Sequence, residues 1–585
     1  MTKGLKFCFL VVLVLFFGTK KIDHPKSSPD SGLSEARWVR KTIEKMTLEE
    51  KVGQMLCLGF YGDFINENSE TWIKYRHWVE ELKIGGLAIY RGDVYETAHM
   101  MNSLQASADI PLLIAANLER GLGSQMEGAT HFPPIMSIGA TGSEELSYQM
   151  GRITALEARA VGIHMAYFPV VDVNINPVNP IINTRSFGEN PVDVGRLAAA
   201  YIKGCQEYGL IATAKHFPGH GDTELDSHND LATVLADMNR LTNVELYPFQ
   251  KAIDAGVQAV MSAHISIPAI DPTPNLPATL SKPIMTDYLR DKLGFKGLIV
   301  SDSMGMGGIT SLYPQDQAAV LAVKAGVDII LLTPEPEIVL SALIDAVNNG
   351  QISEARIDES VNRILQAKAR MGLQKDRYSA VHTLDQVLAT ETHLQWADSM
   401  LEQSMTLVKD TSQILPLTPE KKIAVFSLSS DPDDYYAGRP FIREIKKRDP
   451  KAFEFYAEAS TGTEYFESAL QTAGDVDVLV IALFSSLRSG KGSIGLNERQ
   501  VNFIHKIVEK KIPVLVISFG SPYYLRHFPD VNAYLCAYWP SPQAQEMAAK
   551  AAFGEIDIRG KLPVSIPECF PLGHGIQLSK VVDNQ

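Results

Sequence analysis

The stretch KHFPGHGDTELDSH, from Lys215 to His228, sets three histidines and three acids around a proline and two glycines. Metal binding, phosphate binding and proton transfer all use such residues. His216 and His220 stand four apart, a metal-ligand spacing on a helix, but Pro218, Gly219 and Gly221 break any helix there, so no metal is expected. GHGDT lacks the Gly-Lys-Ser/Thr ending of a phosphate-cradling loop. Proton transfer fits better. Asp226 and His228 are two apart, and an extended loop would turn both to one side. A carboxylate bonded to an imidazole fixes its tautomer and raises its pKa. A further carboxylate, Asp302, ends the apolar run GLIVSD. An acid there costs desolvation unless it has partners or a task, and capping the SDSMG turn is its other possible use. Glycoside cleavage needs one group to attack or stabilise the anomeric carbon and another to protonate the leaving oxygen and activate water. Asp302 suits the first role and the Asp226–His228 pair the second.

The elements that must position these residues are legible as alternating patterns. Eight nearly continuous apolar runs lie at 54–60, 85–90, 111–119, 164–173, 211–217, 259–265, 297–304 and 328–333, separated by amphipathic helical stretches. Continuous apolar runs are expected of parallel strands covered on both faces. Eight strand–helix units predict a (β/α)8 TIM-type barrel, closed by the helix SEARIDESVNRILQAKARMG with Gly372 as its cap. Active sites of such barrels sit at the C-terminal ends of the strands. That position selects Asn117, Glu119, Arg185, Lys215, His216, His264 and Asp302. A second α/β pattern, with runs at 421–429, 476–484, 513–520 and 532–539, predicts a C-terminal three-layer α/β/α sandwich domain. The expected division is a signal peptide over 1–19, a linker over 20–33, the barrel over 34–372, a linker over 373–395 and the sandwich over 396–585.

At 585 residues the chain is long enough for two or three domains. Its net charge of −14 argues against a nucleic-acid partner. Lys3 and Lys6 precede an apolar run from Phe7 to Phe17, which fits a signal-peptide core better than a membrane span. The protein is therefore expected to be exported, periplasmic or extracellular, with an uncleaved anchor as the alternative and no other stable membrane association. Five scattered cysteines without C-x-x-C spacing predict buried free thiols rather than disulfides.

KHFPGHGDTELDSH, GFKGLIVSDSMGM, NTRSFGEN and VMSAHI together resemble glycoside hydrolase family 3, and more narrowly its β-N-acetylhexosaminidase branch. The stretch SMTLVKDTSQILPL, beginning at Ser404, and FGEIDIRGKLPVSIP at 553–567 resemble the two ends of that family's C-terminal domain. The resemblance implies a retaining enzyme acting on amino-sugar glycosides without a cofactor. It implies that Asp302 is the nucleophile, His228 the acid/base and Asp226 its orienting partner. Lys215, His216 and Arg185 would hold the hydroxyls and N-acetyl group of the sugar. Asn117 departs from the pattern: the family usually carries an Asp there, which binds the sugar's outer hydroxyls. A neutral amide makes weaker hydrogen bonds, so substrate preference is the property this change touches. The LERG that follows Asn117 also departs from the commoner EGG.

Three other readings remain open from sequence. A β-glucosidase or β-xylosidase of the same family would take its acid from the second domain, where the candidate loop SSLRSGKGSIGLNERQ holds only Glu498. A non-catalytic sugar-binding protein is a second reading. In a third, phosphate accepts the glycosyl group, because a histidine that has given up its proton repels an anion less than a carboxylate does. The second domain itself carries no catalytic signature; its loops would brace the barrel or line the rim of the site.

Overall fold

Each of the eight apolar runs contains a strand. A computed structural model describes residues 29–432, 434–474, 476–485 and 496–581. The strands are β1 (Leu56–Tyr61), β2 (Gly86–Tyr90), β3 (Leu113–Ala116), β4 (Met165–Ala166), β5 (Ile211–Phe217), β6 (Ala259–Ser262), β7 (Leu298–Val300) and β8 (Ile330–Leu331). All pair in parallel in chain order, β8 pairs back onto β1, and a bridge between Val300 and Ile329 closes the ring. The strands are short, and β5, buried at every position, is the longest. Helix starts carry the caps their sequences announce. Asn190 accepts from the Val192 and Asp193 amides ahead of Pro191, and Ser353 accepts from the Arg356 amide. The closing helix, Glu354–Arg370, ends with Met371 as cap and Gly372 one step beyond, at φ +79°.

The second domain holds a six-stranded sheet: β9 (Thr406–Asp410), β10 (Ile423–Ser429), β11 (Phe453–Ala457), β12 (Val478–Phe484), β13 (Val514–Ser518) and β14 (Ala533–Cys536). Their order is β9-β14-β13-β12-β10-β11, parallel except for β9. Two of these strands escape the sequence pattern. β11 is an edge strand whose first residues face solvent, and β9 has only three buried positions. Leaving β9 aside, the order is that of a doubly wound sheet, which binds ligands in the crevice beyond the carboxyl ends of its strands. Separate apolar clusters fill the two faces of the sheet, and Met136 and Ala140 of the barrel join one of them. Polar contacts secure this interface: Glu189 N–H donates to Pro563 O (3.0 Å), Lys561 N–H to Ala140 O (3.0 Å) and Asn174 Nδ2 to the Tyr523 hydroxyl (2.9 Å).

Two expected linkers are more structured than their composition predicts. The helix Pro29–Ile43 begins inside the 20–33 segment. The 373–395 segment is fastened to the barrel: Arg377 donates to Ala108 O (2.7 Å), Ser379 exchanges two hydrogen bonds with Asn102, and a helix begins at Glu391. Backbone groups lying against a barrel need partners, and these helix caps and side chains supply them. Cys57, Cys205 and Cys536 are buried free thiols as expected, whereas Cys569 is half-buried. Among the described residues no helix is long and apolar enough to cross a membrane. The expected signal peptide and Cys8 lie outside the described residues.

Candidate active site

The C-terminal ends of the barrel strands bring the candidate residues to one rim. Beyond β3, Glu119 is gripped from two sides. Its carboxylate receives Nε and Nη2 of Arg185 at 2.8 and 2.7 Å, and Lys215 Nζ at 2.8 Å. Lys215 also donates to Asn117 Oδ1 at 3.0 Å. Burial pushes the Glu119 pKa up, but Arg185 and Lys215 outweigh it and hold the carboxyl well below its ordinary range. Asn117, Arg185 and Lys215 therefore form one network with Glu119 at its centre.

His216 leaves the end of β5 with its Nδ1 bonded to Asp172 Oδ2 at 2.7 Å. Asp172 is fully buried and also accepts the backbone amides of His216 and His220. Burial raises its pKa, but His216, His220 and these amides reverse the effect and lower it. Neither partner in this pair is solvated, so the ring of His216 is fixed in orientation.

The loop after β5 carries the third cluster. Asp226 and His228 do meet, at 2.7 Å between Oδ1 and Nδ1. They do so through a turn rather than the extended loop their spacing suggests: the same Oδ1 also accepts the His228 amide at 2.9 Å. The Asp226 side chain is completely buried and that of His228 is 37% exposed. With Nδ1 committed to the carboxylate, Nε2 is the nitrogen left to exchange protons. The loop is held at several points. His220 links Thr223 (2.7 Å) to Ser227 (2.8 Å), Asp222 pairs with Arg240, and the Gly307 and Gly308 amides donate to His228 O and Ser227 O. Gly221 is required, because a Cβ there would lie 1.8 Å from Val173 O. His220 and Asp222 thus hold the shape of the loop.

Asp302 follows β7 and is half-buried. Burial alone would raise its pKa; His216, His264, the Ser303 amide and Lys215 outweigh that and lower it. His264 Nε2 bonds Ser303 O at 2.9 Å and its Nδ1 bonds Thr279 Oγ1 at 2.8 Å, which anchors the segment bearing Asp302. Asp302 is thus a carboxylate whose charged form is favoured by the fields of His216, His264 and Lys215, a setting that capping of the next turn does not account for.

Asn117, Glu119, Arg185 and His228 line a cavity of about 370 Å³, within the usual size range of small-ligand sites. Its opposite wall belongs to the second domain: Ser485 after β12, Gly520, Ser521 and Tyr524 after β13, and Tyr538 and Trp539 after β14. The carboxyl ends of both sheets therefore face the same chamber. Tyr538 adopts φ +60°, an uncommon conformation for an aromatic residue, with its hydroxyl bonded to Thr406 Oγ1 at 3.0 Å. That turn directs the chain from β14 into the wall at Trp539.

The residues 47–367 match the glycosyl hydrolase family 3 N-terminal domain, and 405–580 its C-terminal domain. The chain belongs to glycosyl hydrolase family 3. A β-N-acetylglucosaminidase/β-glucosidase of Cellulomonas fimi is 31% identical over 568 residues, covering 92% of this chain and 97% of that one. A solved β-glucoside phosphorylase superposes with a TM-score of 0.83 at 29% identity, over 91% of this chain and 97% of its own. A family 3 β-N-acetylglucosaminidase from Paenibacillus sp. str. FPU-7 gives 0.78 at 30% identity, over 92% and 100%.

Within this family 3 chain, sequence reasoning passed over two kinds of residue. Asp172 ends an apolar run, YFPVVD, as Asp302 ends GLIVSD, and the same signal could have found it. The second-domain wall has no comparable signal, since Trp539 and Tyr524 read as ordinary core aromatics. The expected alternative acid, Glu498, opens the helix Glu498–Glu509, while most of the loop before it, 486–495, lies outside the described residues.

Proposed function

We propose that this family 3 glycoside hydrolase removes terminal β-linked N-acetylhexosamine, N-acetylglucosamine above all, with retention of configuration. The observation that carries the reading is the Asp226–His228 pair, bonded at 2.7 Å and opening onto the chamber that Arg185 and Asn117 also line. In this reading Asp302 attacks the anomeric carbon. His228 Nε2 gives its proton to the leaving oxygen and then takes one from the incoming water, while Asp226 holds the tautomer. Arg185, Lys215, His216 and Asn117 hold the sugar, with Glu119 fixing the two cations in place. The named activities of the Cellulomonas and Paenibacillus relatives support the choice of amino sugar. The lysines and apolar run at 3–17 support export.

The test is hydrolysis of an aryl β-N-acetylglucosaminide against an aryl β-glucoside, with His228→Ala and Asp302→Asn alongside. The expected result is preference for the N-acetyl sugar, near-complete loss in Asp302→Asn, and a His228→Ala defect concentrated on poor leaving groups. Preference for the glucoside with His228→Ala unaffected would move the acid elsewhere and favour a β-glucosidase or β-xylosidase. Sugar binding without turnover would favour a non-catalytic protein. One observation favours a second acceptor, phosphate in place of water. The structural relative with a TM-score of 0.83 is a phosphorylase, and a neutral imidazole admits an anion that a carboxylate base would repel.

A further inference from the structure

The walls of the chamber hold two arginines and one acid. That acid, Glu119, is already bonded to Arg185 through both oxygens and to Lys215 through one. Arg120, the next residue in the chain, lines the same chamber, yet its guanidinium forms no ion pair and no hydrogen bond with any described residue; only its backbone carbonyl is engaged, by the Phe132 amide at 2.9 Å. Its guanidinium lies over the ring of Trp539, 5.9 Å from the centroid, and that ring meets His131 edge-on at 4.8 Å. Stacking on an aromatic face orients a guanidinium and leaves its N–H fork free for a planar or tetrahedral oxyanion. Burial and the neighbouring Arg185 push the Arg120 pKa down against the attraction of Glu119. Such a group gains most from a ligand that brings its own negative charge.

Glu119, Arg185, Asn117 and Lys215 are joined in one hydrogen-bonded network. Arg120 and Trp539 stand where the second domain closes the chamber, with His228 in the same lining. We propose that Arg120, stacked on Trp539, is the anion-recognising residue on the leaving-group and acceptor side of the chamber. Its ligand is an oxyanion, supplied either as a carboxylate on the leaving sugar or as inorganic phosphate. The assignment rests on the glycosidase reading above. In the phosphate case, an anionic oxygen of hydrogen phosphate attacks the anomeric carbon of the glycosyl-enzyme. The bond from that carbon to Asp302 breaks, its electron pair returns to the carboxylate, and a sugar 1-phosphate leaves. In the carboxylate case water remains the acceptor, and the anion contributes only to binding and departure of the leaving group.

The experiment compares wild type, Arg120→Met and Arg120→Lys. Each is assayed on a neutral aryl β-N-acetylglucosaminide and on the same compound bearing a carboxylate on the aryl group, with and without inorganic phosphate. Sugar 1-phosphate is read by phosphorus NMR and folding by thermal melting. Sugar 1-phosphate formed by the wild type identifies phosphate as the ligand, and a kcat/KM preference for the carboxylate substrate without it identifies the leaving group. Whichever selectivity is present should fall roughly 10- to 100-fold in Arg120→Met, relative to neutral hydrolysis in water, and return in part in Arg120→Lys. Neutral hydrolysis with no anion selectivity in the wild type, or selectivity unchanged in a folded Arg120→Met, would overturn the proposal. No turnover of any N-acetylhexosaminide by the wild type would remove the glycosidase reading, and this one with it.

Discussion

The two walls of the chamber are built from different chemistry. The barrel side lines the chamber with Glu119, Arg185 and His228, each fixed by a charged partner, Glu119 with Arg185 and Lys215 and His228 with Asp226, while Arg120 rests on the second domain's Trp539. The second-domain rim presents hydroxyls, a glycine and aromatic faces, with no acid or base among its described lining residues. Both rims are the carboxyl ends of parallel strands, so architecture alone does not separate them. What separates them is where charge is held. A group that must change protonation or carry charge in a transition state needs neighbours that do not reorganise. The buried carboxylates of the barrel rim meet that need. Aromatic and hydroxyl surfaces suit the looser task of seating whatever leaves or arrives.

This division implies that changes to Asp302 and to the Asp226–His228 pair act on kcat, and that changes to the second-domain wall, or to Arg120 stacked on it, act on KM or selectivity. The largest effect is expected from Asp302→Asn, with kcat/KM falling more than about 10³-fold on every substrate while the melting temperature changes little. Comparable loss from a second-domain substitution would break the division. Next, His228→Ala should cost about 10²- to 10⁴-fold on glycosides with poor leaving groups and far less on activated aryl glycosides. Asp226→Asn should follow it, since the imidazole then loses its tautomer partner. On the other wall, Trp539→Ala should raise KM roughly tenfold on substrates with a bulky leaving group and leave kcat within about threefold, as loss of a stacking surface implies.

The pH dependence sharpens the same contrast. The folded pKa values of Glu119 and Asp172 are lowered, so each stabilises the fold above its unfolded value, about 4.3 for Glu and 3.9 for Asp. That stabilisation is lost as pH falls through the folded values. Melting measured from pH 6 downward should therefore show a steeper loss below about pH 4 in wild type than in Glu119→Gln. Equal slopes would show that Glu119 is not held by its cations. The smallest effect is expected at the seam: Tyr523→Phe, which removes the partner of Asn174, should cost about 1 kcal/mol in stability.

Much of the barrel was legible because its strands are buried on both faces and so read as unbroken apolar runs. The site residues on those runs were legible for a related reason, since a polar side chain at the end of such a run is conspicuous. Asp302, Lys215 and His216 stood out in this way. β9 and β11 did not, because an edge strand is half solvated and short, and neither feature marks it off from a loop. The Asp226–His228 pair was found for its residue types but placed in the wrong local geometry, since spacing alone does not distinguish an extended segment from a turn closed by the Asp side chain. The central place of Glu119 depends on Arg185, 66 residues on, and Lys215, from another strand. Trp539 and Tyr538 enter the site only because two domains face each other, and no local pattern encodes that.

The central claim is that Asp302 carries the sugar while His228 moves the proton. It is tested most directly by mixing the His228→Ala variant with an activated aryl β-N-acetylglucosaminide, quenching in acid, and mapping the modified peptide by mass spectrometry. The expected result is a glycosyl adduct on Asp302 that builds up because His228 is missing for its hydrolysis, with wild type releasing the β-anomer first. An adduct on another residue, or release of the α-anomer with no adduct at all, would contradict it.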